Sequence, residues 1–166
     1  MKILTFFYQG KLFLIRELSK NDVNDTYVKN LKKQNFLTNN LKQLTKEDQT
    51  RYVDQIRKDK NKTILGIFHN NRLIGTSGAQ YLRKKKIFIG IFLFSKKFLN
   101  KGLGFFFINL VTNYIYKFFN KKIFIACVYK KNIASIKSFK KAGFKKHKSS
   151  KKNVVCFQLK INSQKK

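Results

Sequence analysis

Four residues, Lys101-Gly102-Leu103-Gly104, stand between an apolar, strand-like run and a long apolar stretch with helical spacing. Glycines at such a junction let a ligand come close to the backbone, and the free amides that open a helix suit phosphate oxygens. The run is not a dinucleotide fingerprint, because Phe107 stands where the third glycine would be, and no G-K-[ST] follows to make a nucleotide-triphosphate loop. About thirty residues on, Asn132-Ile-Ala-Ser135 opens a second helical stretch, which runs through Phe139 to Gly143-Phe144. Asn132 has the side chain of a helix cap, and Gly143 suits the left-handed residue that ends a helix. Acid–base groups are scarce around these elements. The last carboxylate side chain is Asp59, leaving Glu17, Glu47, Asp48, Asp54, His69, His147 and the tyrosines as candidate bases, so no general base is assigned.

The elements that must position these residues follow from hydrophobic period and turn chemistry. Leu12 to Leu18 reads as a first strand. Ser19 to Asp22 has capping-box spacing and predicts a helix to about Lys33, and Thr45 to Asp48 repeats the device before a second helix carrying Tyr52, Val53 and Ile56. These acidic groups are read as caps rather than catalysts. Beyond Asp59 the period shifts to two. Strands are expected over 63–68 and 73–81 around an Asn70-Asn71 hairpin, over 87–94 after a basic turn at 83–86, over 122–129, and over 152–161. The order β-α-α-β-β-β-α-β-α-β predicts one α/β (α+β) domain over 1–161, with a single mixed sheet and a polar tail at 162–166.

With 166 residues and 43% hydrophobic content, the chain can bury a real core. No apolar run nears the roughly 20 residues a membrane helix needs, and the first residues lack a secretory pattern. Cys127 and Cys156 form no C-x-x-C pair and are expected as buried free thiols in a reducing cytoplasm. The net charge is +31, and residues 60–166 carry 26 basic groups and no acidic one. Lys, Asn, Ile and Phe make up 83 residues while Pro is absent, the mark of AT-rich coding. Only five of the 38 basic residues are Arg, the side chain that reads bases best. The charge is therefore attributed mainly to coding bias, and sequence-specific nucleic-acid binding is not expected.

Taken together, KGLG and NIASIKSFKKAGF at this spacing resemble the GNAT N-acetyltransferase superfamily, with a wider match from about Phe13 to Phe144 that includes Ile74-Gly75 and Gly90. The resemblance implies a mostly antiparallel sheet with helices on both faces and acetyl-CoA as acetyl donor, without a metal. It implies that pantetheine lies along Ile91, Phe92 and Leu93, and that Lys101, Gly102, Leu103 and Gly104 take the pyrophosphate. Asn132 would contact the pantetheine arm, and Ser135 would face the cofactor; because Phe139 cannot give a proton, the thiolate's proton is expected from Ser135, from water or from the acceptor's own amine. Three positions depart from the family pattern: Leu99, Phe105, and Phe139 where many members carry a tyrosine acid. The opening residues, Leu18 to Leu31 with Thr45 to Val53, are similar to members that acetylate nucleotide-linked amino sugars, and the layout also to those that acetylate ribosomal-protein N-termini. A Lys-rich field favours the anionic small-molecule amine over a basic N-terminus. The rival expectation is a non-catalytic, RNA- or ribosome-associated protein on the same fold.

Overall fold

The computed structural model describes residues 2–33, 43–82, 86–95, 97–98, 101–149 and 151–161. The predicted basic turn at 83–85, Leu99 and the tail at 162–166 lie outside them. Eight strands form one sheet: β1 (Ile3–Tyr8), β2 (Lys11–Glu17), β3 (Lys62–His69), β4 (Arg72–Tyr81), β5 (Lys86–Leu93), β6 (Ile123–Tyr129), β7 (Lys145–His147) and β8 (Val154–Lys160). The helices are α1 (Asp25–Lys32), α2 (Lys46–Lys58), α3 (Gly104–Phe119) and α4 (Ile133–Lys141). The strand order is β1-β2-β3-β4-β5-β6-β8-β7, antiparallel except for the β5–β6 pair. The expected α/β class and the mostly antiparallel sheet are as the sequence implies.

Two strands are additional to the expected order. β1 alternates Leu4, Phe6 and Tyr8 against the core with Ile3, Thr5 and Phe7 outward, and Gln9-Gly10, both at positive φ, turn it onto β2. β7 has only three residues and pairs with β8. The Ser19–Asp22 box closes a 3₁₀ turn rather than a helix; Asn24 caps α1 instead, its side chain accepting from the Tyr27 amide. Asp22 keeps the box, accepting from the Ser19 amide at 2.7 Å, and also accepts at both oxygens from the two terminal nitrogens of Arg16 at 2.7 Å each. The Thr45–Asp48 box starts α2 as expected, and Asn70 and Asn71 make the β3–β4 turn at φ 48° and 57°.

The sheet separates two apolar cores. One lies under α3 and α4 and includes Phe13, Ile15, Leu65, Ile67, Ile89, Phe107, Val111, Phe124, Phe139 and Phe157. The other lies under α1 and α2 and includes Leu18, Tyr27, Val53, Ile56, Ile64 and Phe94. Tyr114 is fully buried, so the aromatics of α3 serve as core.

The cysteines overturn an expectation. β6 and β8 run in a register that sets Cys127 directly opposite Cys156, with Cα atoms 4.0 Å apart, and the two are joined by a disulfide. No cysteine is free, so the argument for a reducing compartment from free thiols does not hold. No helix among the described residues is long and apolar enough to cross a membrane.

Candidate functional site

The β5–β6 pairing sets the geometry of the site. It runs through Lys86↔Ile123, Ile87↔Phe124 and Phe88↔Ile125 and then stops, although both strands continue. Beyond Phe88 the strands diverge, which leaves the β6-facing backbone edge of Ile89–Leu93 free to pair with something else. Into that opening point the N-termini of two helices. Ile91, Phe92, Leu93, Gly102, Leu103, Gly104, Asn132 and Ser135 converge there, with Phe98, Ile108, Ala134, Lys137, Ser138 and Phe139, on one cleft of about 400 Å³. Eight of the nine residues expected to hold the donor therefore share a wall. The ninth, Lys101, lines a small adjoining hollow with Tyr8, Lys11, Phe13 and Lys97.

The two glycines of the loop have different reasons to be glycine. Gly102 sits at φ +68°, a left-handed conformation that any L side chain resists, with open space where a Cβ would be. Gly104 is at ordinary φ, but a Cβ there would run into Ser138 Oγ and stand 2.9 Å from Ser138 Cβ. The second glycine thus lets the start of α3 press against α4. Its Cβ would point at Ser138, which lines the same cleft.

Of the four α-helices described, α1, α2 and α4 carry side-chain caps from Asn24, Thr45 and Asn132. α3 does not: Leu103 occupies its N-cap, and its first turn holds no acidic residue. Its orphan amides and positive dipole end are left for an outside anion. Asn132 Oδ1 accepts from the Ser135 amide at 3.1 Å, so this side-chain oxygen is committed to capping while its NH₂ keeps donor capacity. Ser138 Oγ donates to Ala134 O at 2.9 Å. Residues 134, 135 and 138 fall on one face of α4 by helical spacing, the signal by which Ser138 could have been found beside Ser135.

Phe139 is 4% exposed and packs against Phe144 and Phe157, with ring centroids 5.1 and 6.2 Å away. Its ring still borders the cleft. Lys140 and Lys141 lie outside, as expected, with Lys141 Nζ 4.1 Å from the centre of the Phe105 ring.

None of the candidate bases lines this cleft among the described residues. His69 Nδ1 is 2.9 Å from Leu12 O, and the ring sits against Phe13 and Phe98. His147 borders a separate Lys-rich hollow beside β7. Asp48 and Asp54 are held below the usual carboxylate range, Asp48 by its bonds from Thr45 and Arg51 and Asp54 by Lys58. Burial pushes Tyr27, Tyr81 and Tyr114 up to about 12, far from a useful base near neutrality. No group of metal-ligating side chains occurs among the described residues.

This arrangement matches a known family. Residues 13–145 fit the model of the acetyltransferase (GNAT) domain, which spans most of the chain. The chain belongs to the GNAT acetyltransferase family. Its members are N-acetyltransferases that take their acetyl group from acetyl-CoA. Among solved structures, this GNAT chain is similar to the Campylobacter jejuni N-acetyltransferase PseH in complex with acetyl coenzyme A, at 18% identity and TM-score 0.67, over 89% of this chain and 99% of that one. It is also similar to the Vibrio fischeri ribosomal-protein-S5-alanine acetyltransferase, at 16% identity and TM-score 0.77, covering 98% and 100%. A third, the ribosomal L7/L12 α-N-protein acetyltransferase RimL in complex with coenzyme A, is 14% identical with TM-score 0.79, covering 95% and 98%. At these identities the likeness concerns the fold. No curated protein matches the sequence significantly.

The cleft fits the donor on its own chemistry. An uncapped helix start, a left-handed glycine before it and no acidic side chain in the lining suit a pyrophosphate, while a free strand edge suits the amides of pantetheine.

Proposed function

We propose that this GNAT protein transfers the acetyl group of acetyl-CoA to the amine of a nucleotide-linked amino sugar. The observation that carries the donor side is the convergence of the uncapped α3 start, the α4 start and the open edge of β5 on one cleft. In this reading the amides of Lys101 to Gly104 hold the pyrophosphate, the β5 edge at Ile91, Phe92 and Leu93 pairs with pantetheine, and Asn132 donates to the arm from its NH₂. A strand amide at the opening polarises the thioester carbonyl, which needs no side chain.

The reaction then balances simply. The substrate ammonium first loses one proton to solvent; the neutral amine nitrogen then attacks the carbonyl carbon, the C–S bond breaks, and the second nitrogen proton ends on the thiolate. Because no carboxylate or imidazole lines the cleft among the described residues, the solvent-bound proton leaves through water. The local cationic field, including Lys137 in the cleft, favours the neutral amine and lessens the need for a base. That proton reaches the thiolate directly, through water, or through Ser135, which gives up its hydroxyl proton as it takes the one from nitrogen, since Phe139 has none to give.

The acceptor class is supported by charge. With 26 basic and no acidic groups after Asp59, the domain attracts an anionic sugar nucleotide and repels a basic N-terminal segment. The test is steady-state kinetics with sugar nucleotides bearing a free ring amine, against N-terminal peptides of ribosomal type. Turnover confined to the sugar nucleotides supports the reading; turnover confined to peptides overturns the acceptor, and absence of turnover with both favours a non-catalytic protein.

A further inference from the structure

A second hollow, of about 700 Å³, lies on the flank of α4 away from the donor cleft. Ala134, Ser135 and Ser138 line the cleft, whereas Ile136 and Lys140 line the hollow, and helical spacing puts the two sets on opposite sides of α4. The floor is apolar, from Ile136, Val155 and Phe157. Around it stand six exposed lysines from separate segments. Lys130 precedes α4, Lys140 is on it, Lys146 is on β7, and Lys148, Lys151 and Lys152 belong to the β7–β8 hairpin. Backbone bonds fix these segments together. The Lys130 amide donates to Asn153 O at 3.0 Å, and within the hairpin the Lys151 amide donates to Ser149 Oγ at 3.3 Å.

Nothing nearby offsets this charge. No acidic side chain lines the hollow, and the ion pairs found among the described residues all lie at or before Lys62. Six like charges around one concavity raise its potential and draw in an anion. Coding bias does not account for the cluster. Bias that raises Lys raises Asn, Ile and Phe with it, yet over residues 130–152 the two part company. Lys supplies 10 of these 23 residues against 33 of 166 in the chain, while Asn, Ile and Phe together supply 5 of 23 against 50 of 166. The excess of Lys is local, and the fold gathers it on one hollow.

We propose that this hollow is a docking site for single-stranded nucleic acid, held through its phosphates without reading its sequence. A single anion needs one or two lysines, whereas six around a groove suit a chain of phosphates. A membrane surface is flat and does not enter a concavity. The choice of nucleic acid over a bare phosphate chain comes from Tyr129. It is 36% exposed, precedes Lys130, and pairs across β6–β8 with Val154, which borders the hollow. An exposed ring beside a basic groove is a platform for a stacked base. The scarcity of Arg agrees with contact to phosphates rather than to base edges. Because the hollow and the donor cleft use opposite flanks of α4, a bound strand leaves the donor site free.

Fluorescence anisotropy with a labelled oligouridylate of about twelve nucleotides, within the range of single-strand sites, tests this across a salt series. Three full-length variants are compared with the parent. One carries Lys146→Gln, Lys148→Gln, Lys151→Gln and Lys152→Gln. A second removes the same charge elsewhere, by Lys29→Gln, Lys32→Gln, Lys33→Gln and Lys60→Gln, all exposed. The third is Tyr129→Ala. The parent should bind at about 0.05 M salt, and the hollow variant should bind at least about tenfold more weakly, with a log–log salt slope shallower by up to about 3, or roughly 0.7 per lost contact. The control variant should lose less than about threefold. Tyr129→Ala should weaken the oligonucleotide at least about fivefold, the low end for one stacked base, and leave binding of inorganic polyphosphate unchanged. Melting with acetyl-CoA should rise equally in all four proteins, which shows them folded with the donor site intact. A parent that does not bind the oligonucleotide, or equal losses in hollow and control variants, overturns the site. Loss in the hollow variant with none in Tyr129→Ala overturns nucleic acid in favour of a bare polyphosphate. Tighter binding to phosphatidylglycerol vesicles than to the oligonucleotide overturns it in favour of a membrane surface.

Discussion

The two faces of the sheet are built on different principles. Under α3 and α4 the cleft is made by backbone: an uncapped helix start, a left-handed glycine and an unpaired strand edge. Under α1 and α2 the chain instead satisfies its own polar groups, with two side-chain caps, the Arg16–Asp22 pair and the buried Tyr27–Gln49–Thr76 bonds. What the first face leaves open, a phosphate and an amide-bearing arm can complete. The contrast is between unmet and met hydrogen bonding: the first face keeps backbone groups for a ligand, while the second spends its polar groups on the fold.

The largest effect should come from the one donor-face position where the family's chemistry is missing. Phe139→Tyr should leave acetyl-CoA binding intact and raise turnover if thiolate protonation limits the rate, by up to the roughly 10²–10⁴-fold typical of a positioned acid. Steady-state kinetics with the best acceptor decides it, and Ser135→Ala in the same assay should lower kcat more than binding. If Ser135→Ala moves neither, the serine only follows the Asn132 cap and relays nothing.

Next is the disulfide that ties β6 to β8. Cys127 and Cys156 are 29 residues apart, and closing a loop of that size stabilises by about 3–4 kcal/mol through the unfolded chain. Denaturant unfolding of Cys127→Ser/Cys156→Ser, or of the protein under reductant, should show a loss of that order. A loss below roughly 1 kcal/mol would mean that the cross-link contributes far less than that loop-closure value.

A smaller effect separates the two glycines. Gly104→Ala forces a Cβ onto Ser138 and should cost about 1–3 kcal/mol by overpacking. Ser138→Gly in the same chain should restore most of it, a coupling read by a double-mutant cycle. Gly102→Ala should cost about 1–2 kcal/mol from its left-handed backbone, with no rescue at position 138.

The smallest effect lies on the other face. Burial alone would raise the Asp22 carboxyl, but bonds from Arg16 and Ser19 overcome it and hold it below the ordinary range. A depressed carboxyl gives stability that is present above its unfolded value and lost as pH falls through the folded one. Stability against denaturant, measured as pH is lowered below about 4, near the ordinary carboxyl value, should therefore fall more steeply for the parent than for Asp22→Asn.

How much of this was legible in the sequence depended on whether the signal was local. Gly102, Asn132, Gly143, the Thr45 box and the Asn70-Asn71 turn announce themselves by type and spacing, and the structure places each where that chemistry requires. The elements missed are those whose evidence lies across the sheet. β1 ends in Gln9-Gly10, a weaker turn signal than Asn-Gly, and its alternation gains meaning only once α3 covers Leu4, Phe6 and Tyr8. The cysteine pairing depends on the β6–β8 register, which no spacing reveals. Asp22 makes the bond its capping-box spacing implies, but the turn it closes is 3₁₀, and Asn24, five residues after Ser19, is what starts α1. Ser138 as the reason for Gly104 is likewise a contact between elements.

The central claim is that the cleft between α3, α4 and the open edge of β5 binds acetyl-CoA. Thermal melting of the parent protein with and without acetyl-CoA measures it directly, since a ligand of the native state stabilises by mass action. At a hundredfold excess over Kd the gain is about 2.7 kcal/mol, and a domain of this size should melt roughly 5–10 °C higher. A rise of that size, reduced in Gly102→Ala, is the predicted result; an unchanged melting temperature at millimolar acetyl-CoA would contradict it.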